Sequence, residues 1–310
     1  MSETRSADVI ILGAGPAGCT AAVYCTRAGL KTVVFGGAAP GGQLLLTSDI
    51  ENFPGLPEPV TGAELMERMH RQCRRLGALV LTEEAVSLAL EEKPFSVVSS
   101  SGEIYAARAV IIATGAKSRW LGLESEKSFI GKGVSGCATC DGFFHKGKEV
   151  CVIGGGDTAL EDALFLTKFA SKITVIHRRN SLRASNILQE KARKNPKIAF
   201  LWDSVVEEVL GKEGVTAVRL KNLKTGKTEE LPCEGIFVAI GHAPDTAILK
   251  KQLKTDENGF VITDGRTGTS VEGVFAAGDI ADPRYRQAVT AAGSGCIAAI
   301  EAARFLQKAD

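Results

Sequence analysis

One eleven-residue pattern occurs twice in this chain. Residues 8–18 read D-V-I-I-L-G-A-G-P-A-G, residues 149–159 read E-V-C-V-I-G-G-G-D-T-A, and Gly13 and Gly154 stand 141 positions apart. The same offset carries Lys31-Thr-Val-Val-Phe-Gly36 onto Lys172-Ile-Thr-Val-Ile-His177. Each copy is a short β-branched run entering a glycine turn, then a helix, then a second apolar strand. A closing strand completes each unit: Val110-Ile-Ile-Ala-Thr-Gly115 resembles Ile236-Phe-Val-Ala-Ile-Gly241. The first unit would end near residue 116 and the second near 243. Residues 244–310 are too short for a third unit, and they finish in G-V-F-A-A-G-D (273–279) and an apolar helix from about Ala288 to Gln307. Such a tail returns to complete the first unit, because domain insertion is tolerated where chain ends lie close together. The expectation is an α/β chain of two Rossmann-like, three-layer ββα-type nucleotide-binding domains, the second inserted in the first. The segments are 1–116, 117–243 and 244–310.

The spacing G-x-G-x-x-G/A has a geometric reason. The first glycine makes the turn, the second lets the backbone approach a pyrophosphate, and the third position must be small for helix to pack on strand. The anion then rests on the helix N-terminus. Gly13, Gly15 and Gly18 fill the first turn; Gly154, Gly156 and Ala159 fill the second. The end of the second strand separates cofactors, since an acid there binds ribose hydroxyls and basic groups accommodate a 2′-phosphate. His177-Arg178-Arg179 stands there in the second unit with Arg183 beyond, which reads as NADPH. The first unit has Gly36 at that place and then the glycine-rich G-G-A-A-P-G-G-Q (36–43), suited to wrapping a large cofactor that need not be NAD. Asp279, at the end of an apolar strand, is placed to hold a polyol chain, or merely to form a turn.

Net charge is +1 at pH 7, which points to neither nucleic acid nor an anionic membrane as main partner. No apolar run reads as long enough to cross a bilayer, and the polar M-S-E-T-R-S-A-D start lacks a signal-peptide core, so a cytoplasmic location is expected. Of eight cysteines, only Cys137 and Cys140 have C-x-x-C spacing; the other six read as small buried apolar residues. The pair admits a zinc half-site, coincidence or a redox disulfide. Zinc wants a second half-site, and the four histidines are scattered, so no metal is expected. A redox pair needs an electron source, which two dinucleotide folds would supply. Asp141, directly after Cys140, would serve as proton donor and acceptor to the sulfurs if burial near a bound cofactor and Phe143 or Phe144 raised its pKa; the alternative is a turn-forming Asp-Gly.

Taken together, G-A-G-P-A-G, G-G-Q-L, E-N-F-P-G (51–55), A-T-G, C-A-T-C-D-G, G-G-G-D-T-A, H-R-R-x-x-x-R, A-I-G-H, A-A-G-D and Y-R-Q-A (285–288) resemble the low-molecular-weight thioredoxin reductases of bacterial and fungal type, from about residue 7 to 307. The resemblance implies FAD in the first domain, NADPH in the inserted one, and thioredoxin as the protein reduced. It implies that Gly13, Gly15 and Gly18 face the FAD pyrophosphate, with Gly42, Gln43 and Asn52 near the flavin. Thr114 and Gly115 would close over the adenine side, Asp279 would hold the ribityl chain, and Gln287 and Ala288 would touch the isoalloxazine. For NADPH it implies Gly154, Gly156, Asp157, Thr158, His177, Arg178, Arg179 and Arg183. It assigns Cys140 to the flavin side and Cys137 to attack on the partner, with Cys137 then the more exposed. A homodimer is implied as well.

The C-x-x-C and the NADPH site fall in one domain and must both meet one flavin. The inserted domain is therefore expected to rotate about the segments near 116–118 and 241–246. Rival readings are a reductase of a different disulfide protein, such as a peroxidase-linked carrier, and a non-enzymatic flavoprotein or zinc-binding module. The basic run Met66–Arg75 reads as a solvated face or a subunit contact.

Overall fold

The computed structural model describes residues 4–46 and 49–309, so the polar N-terminal stretch begins outside the described residues. In chain order the elements begin with β1 (Arg5–Leu12), α1 (Pro16–Arg27), β2 (Thr32–Phe35), α2 (Gly62–Arg75), β3 (Leu79–Leu81), β4 (Ala85–Ala89), β5 (Phe95–Ser99) and β6 (Ile104–Ile112). Next come β7 (Ala116–Ser118), α3 (Glu124–Phe129), β8 (Val134–Ser135), α4 (Ala138–Asp141), β9 (Glu149–Ile153), α5 (Asp157–Leu166), β10 (Lys172–Ile176), α6 (Asn186–Lys194) and β11 (Ile198–Leu201). The last are β12 (Ser204–Gly211), β13 (Val215–Asn222), β14 (Thr228–Pro232), β15 (Gly235–Val238), β16 (His242–Pro244), β17 (Val274–Ala276) and α7 (Ala288–Ala309).

The chain forms two compact units, Met1–Lys117 with Ala243–Asp310, and Ser118–His242. In the first, the strand order is β3-β2-β1-β6-β5-β4. β1, β2, β3 and β6 run parallel, β17 joins the C-terminal half of β6 in parallel, and the β4–β5 hairpin adds antiparallel strands. Alternation sorts the side chains of β1 to two faces. Val9 and Ile11 enter the core under α1, α2 and α7, and Ile10 and Leu12 enter the core on the other side. In the second unit, β11-β10-β9-β15-β8 is wholly parallel. Val150 and Val152 face the α5 and α6 layer, whereas Cys151 and Ile153 face the antiparallel sheet β12-β13-β14. Helix, parallel sheet and antiparallel sheet are the three layers.

The repeat is exact in register. Val9 pairs with Thr32 in the first unit and Val150 with Ile173 in the second, the same two positions 141 residues on. Gly13 N–H donates to Phe35 O at 2.8 Å, and Gly154 N–H to Ile176 O at 3.2 Å.

Two readings need correction. α7 is, by length and composition, apolar enough to cross a bilayer (mean hydropathy 1.3), contrary to the expectation that no run is. Its alanine-rich stripe, Ala291, Ala298, Ala299 and Ala302 with Leu306, is instead buried in the core that α1 also enters. Small residues let two helices approach closely, which accounts for the alanines of the buried stripe. The run Met66–Arg75 is not a wholly solvated face: Met66, His70 and Cys73, on one side of α2, are buried.

Candidate active site

Each glycine turn joins a parallel strand to a helix, and each of its positions has a separate cause. Gly13 and Gly154 have φ of 109° and 154°, and a Cβ on either would lie 2.1 Å from Ala113 O or 2.4 Å from Ala239 O. The neighbouring strand thus demands glycine there. A Cβ on Gly18 would lie 1.9 Å from Gly13 O, so helix packing demands it too. Gly15 and Gly156 are different. Their φ values, −78° and −96°, suit any residue. A Cβ on Gly15 would come no closer than 3.9 Å to anything, and one on Gly156 would meet nothing within 4 Å. Protein packing gives no reason for glycine at these two positions; close approach of a ligand backbone does. Both are N-caps whose helices, α1 and α5, have no side-chain cap, so their first N–H groups stay open to an anion. Both turns therefore fit a dinucleotide pyrophosphate.

The first turn is braced from behind by residues that the sequence reading missed. His70 Nε2 donates to Ala14 O at 2.8 Å and Cys19 Sγ to the same carbonyl at 3.4 Å; His70 is buried. The signal was in the sequence: Met66, His70 and Cys73 share helical spacing and hence one face. Of the other first-unit candidates, Gly42 and Gln43 lie exposed on a 3-10 turn (Gly42–Leu46), and Asn52 is exposed on a loop. The Thr114 hydroxyl already donates to Asp245 O at 2.8 Å, and Asp245 N–H donates to Gly115 O at 2.9 Å. Thr114 and Gly115 therefore brace the chain at its return. Asp279 is half-buried, and burial first, then the Asp282 charge, pushes its carboxyl up to about 6. A sheltered carboxyl of that kind fits hydroxyl donors. Gln287 precedes α7 and donates from Nε2 to Tyr285 O at 3.1 Å; Ala288 opens the helix.

In the second unit Asp157 Oδ1 accepts from Ser185 N–H at 2.6 Å, and Thr158 follows it in the first turn of α5. Arg178, Arg179 and Arg183 are exposed at the end of β10, free in direction to meet a phosphate. His177 departs from them. It is 7% exposed, its Nε2 donates to Ser181 O at 3.0 Å, and burial pushes its pKa below the ordinary value.

Cys137 and Cys140 are joined by a disulfide, with Cα atoms 5.3 Å apart. The one-turn α4 holds them: Cys137 is its N-cap, and its Sγ accepts from Cys140 N–H at 3.1 Å. Both cysteines are half-buried, so exposure does not rank Cys137 above Cys140. Asp141 ends the same turn, and burial pushes its pKa up, opposed by the Ser135 hydroxyl and by His145. Phe143 and Phe144, the expected sources of that burial, are themselves 56% and 36% exposed. Ser135 was also missed. Its buried hydroxyl accepts from Cys137 N–H at 3.0 Å and donates to Cys137 O at 3.3 Å, and its nearness to Asp141 lowers that carboxyl's pKa. The other cysteines, Cys19, Cys25, Cys73, Cys151 and Cys233, are free and buried, and Cys296 is free and half-buried.

Known proteins share this arrangement. The family model of the pyridine nucleotide-disulphide oxidoreductases matches residues 7–295. A thioredoxin reductase of Rickettsia prowazekii is 49% identical over 304 residues, 97% of this chain and 98% of that protein. One from Streptomyces coelicolor is 49% identical over 308 residues, 99% of this chain and 95% of the relative. The solved thioredoxin reductase from Giardia duodenalis is 44% identical and superposes with a TM-score of 0.93 over 98% of this chain and 100% of its own. With two dinucleotide turns, an inserted unit and a C-x-x-C disulfide in hand, the chain belongs to the pyridine nucleotide-disulphide oxidoreductases, in their thioredoxin reductase group.

Proposed function

We propose that this chain is an NADPH-dependent flavoprotein disulfide reductase that reduces oxidised thioredoxin through Cys137–Cys140. The observation that carries the reading is the position of that disulfide: beside a buried acid, in the same compact unit as a dinucleotide turn rimmed by arginines. The first unit takes FAD, with Gly13, Gly15 and Gly18 at the pyrophosphate, Asp279 at the ribityl hydroxyls, and Gly42, Gln43, Asn52, Thr114, Gly115, Gln287 and Ala288 around the rest. The second takes NADPH at Gly154, Gly156, Asp157 and Thr158, with Arg178, Arg179 and Arg183 on the 2′-phosphate. When bound, FAD supplies two-electron transfer between the nicotinamide and the disulfide.

The chain's own residues do the remainder. Opening the disulfide leaves two sulfurs, of which Cys137 attacks the thioredoxin disulfide as thiolate and forms a mixed disulfide. Cys140 then attacks Cys137, re-forming the internal bond and releasing reduced thioredoxin. The leaving thiolates need protons, and Asp141, kept protonated to higher pH by burial, is the group placed to deliver them. Ser135 holds the Cys137 main chain through its hydroxyl and keeps the Asp141 pKa from rising further.

Residues 118–242 carry both the disulfide and the NADPH turn, so the two present themselves in succession by rotation about the paired segments β7 and β16. A homodimer is supported by the apolar side chains that α1 and α7 leave exposed, Tyr24, Val289, Ile297 and Ile300. Free thiols at the six other cysteines suit a reducing, cytoplasmic setting. The test is to mix the flavin-loaded protein with NADPH, thioredoxin and a disulfide dye. Dye reduction should need thioredoxin and prefer NADPH to NADH. NADH preference, or reduction indifferent to thioredoxin, would assign another disulfide partner; no flavin bleaching by NADPH would end the reading.

A further inference from the structure

The two units solve one packing problem in opposite ways. In the first, the residue between the first two turn glycines is Ala14, and the residue just after β2 is Gly36; a Cβ on Gly36 would lie 3.2 Å from the Ala14 Cβ. Those positions, 141 residues on, are Gly155 and His177. Here the large residue sits just past the strand and the small one on the turn. A Cβ on Gly155 would lie 2.3 Å from His177 Cε1 and 2.4 Å from Nδ1, so the imidazole fills the space that the Ala14 methyl occupies in the first unit. The same contact is conserved inside the chain with its sizes exchanged.

The exchange has a consequence for the arginines. From its place behind the turn, His177 donates through Nε2 to Ser181 O at 3.0 Å, across the loop that follows β10. Gly155 O receives Arg183 N–H at 2.7 Å and Ala184 N–H at 3.2 Å. Ring and turn thus grip both ends of the segment carrying Arg178, Arg179 and Arg183. Main-chain bonds hold the histidine in turn, from His177 N–H to Leu201 O at 2.9 Å and from Ser204 N–H to His177 O at 3.1 Å, and Trp202 meets the ring edge-on at 6.4 Å. Nε2 spends its proton on Ser181 O, and the ring also has a main-chain hydrogen-bond interaction with Gly154, so its polar atoms are engaged within the turn and the loop. The arginines are exposed and the histidine is not.

We propose that His177 is a positioning residue that clamps the arginine loop to the Gly154–Gly156 turn and so builds the 2′-phosphate site from behind, without itself binding the phosphate. The proposal rests on the reading of the second unit as the NADPH unit. It explains why residue 155 is glycine: the ring of His177, not the cofactor, excludes a side chain there.

The test uses the flavin-loaded protein, its ¹⁵N-imidazole spectrum and four variants. On adding 2′,5′-ADP, the His177 ring should remain neutral with its proton on Nε2. H177A and G155A should each raise KM for NADPH about tenfold or more with kcat at saturation unchanged, since a displaced loop costs phosphate contacts and not chemistry. KM for NADH should move far less. G155A/H177A should be no worse than H177A alone, because the added methyl occupies the vacated ring space, and H177N, which can still donate to Ser181 O, should recover most of the loss. Conversion of His177 to imidazolium by 2′,5′-ADP, or additive losses in the double variant, overturns the proposal. If H177A does not fold, the ring spectrum of the unsubstituted protein together with G155A and H177N decides. If the unsubstituted protein neither binds 2′,5′-ADP nor prefers NADPH, the cofactor reading itself fails and the proposal falls with it, an outcome distinct from a charged His177 in a protein that prefers NADPH.

Discussion

Replacing Asp141 by Asn separates proton transfer from architecture. The Ser135 hydroxyl beside the carboxyl is engaged with the Cys137 main chain, and an Asn side chain, nearly equal in size, can take the carboxyl's place. The main chain of residue 141 is untouched: its N–H donates to Cys137 O at 3.2 Å and its carbonyl accepts from His145 Nδ1 at 3.1 Å. Any residual weakening of one hydrogen bond is worth about 1 kcal/mol, or roughly fivefold. General acid–base catalysis by a placed carboxyl is worth about 10²–10⁴-fold. Asp141→Asn should therefore slow thioredoxin reduction by about 10²-fold, while flavin reduction by NADPH in stopped flow stays within about twofold. Stability should move the other way. Burial raises the Asp141 pKa above its ordinary 3.8, so its contribution to stability is fully present below that value and is lost as pH rises through the raised one. At pH 7.5 the charge opposes folding, and removing it should leave the melting temperature equal or higher. Equal rates in both half-reactions would refute the proton role. A matched fall in both, with a lower melting temperature, would mean that Asp141 only supports the loop.

Ser135→Ala removes a hydroxyl that lowers the Asp141 pKa and holds the Cys137 main chain, so the pH profile of thioredoxin reduction should shift to higher pH, with a loss of roughly fivefold to tenfold at pH 7 from the loosened Cys137; an unmoved profile would detach Ser135 from Asp141. Gly18→Ala, with a Cβ 1.9 Å from a carbonyl, should yield little folded protein, whereas Gly15→Ala, with nearly open space, should melt normally yet lose flavin; absorbance per chain and thermal unfolding read the two apart. Glu126 is buried and accepts from Leu121 N–H at 3.0 Å and Gly122 N–H at 2.9 Å, so Glu126→Gln, which exchanges one acceptor oxygen for a donor, should cost about 2 kcal/mol in unfolding experiments.

Much of this molecule is visible one-dimensionally because its signals are local. The two turns, the register of β1 on β2, and the C-x-x-C on a single turn of helix all follow from residues close in sequence, and the 141-residue offset repeats them. The exposed arginines are legible for the same reason, since the end of β10 is set by its own apolar run. Less could be read where one side chain answers another far away. That His70 braces Ala14 depends on α2 lying behind the turn, a separation of 56 residues. That the Thr114 hydroxyl is engaged by Asp245 depends on the chain's return 131 residues later. The apolar character of α7 was a matter of composition; its meaning, close packing in the core shared with α1, was not.

The sequence by itself determined two nucleotide turns, an inserted unit and a redox-capable cysteine pair, because periodicity and spacing act over a few residues of backbone. Only the tertiary structure decided that His177 faces inward to Gly155 while its arginine neighbours face out, and that Ser135 holds Cys137 while lowering the Asp141 pKa. The physical reason is that burial and hydrogen bonding belong to the space a side chain shares with distant segments. A His-Arg-Arg run looks like three cations in a row until packing places the first behind the turn and leaves the others facing solvent.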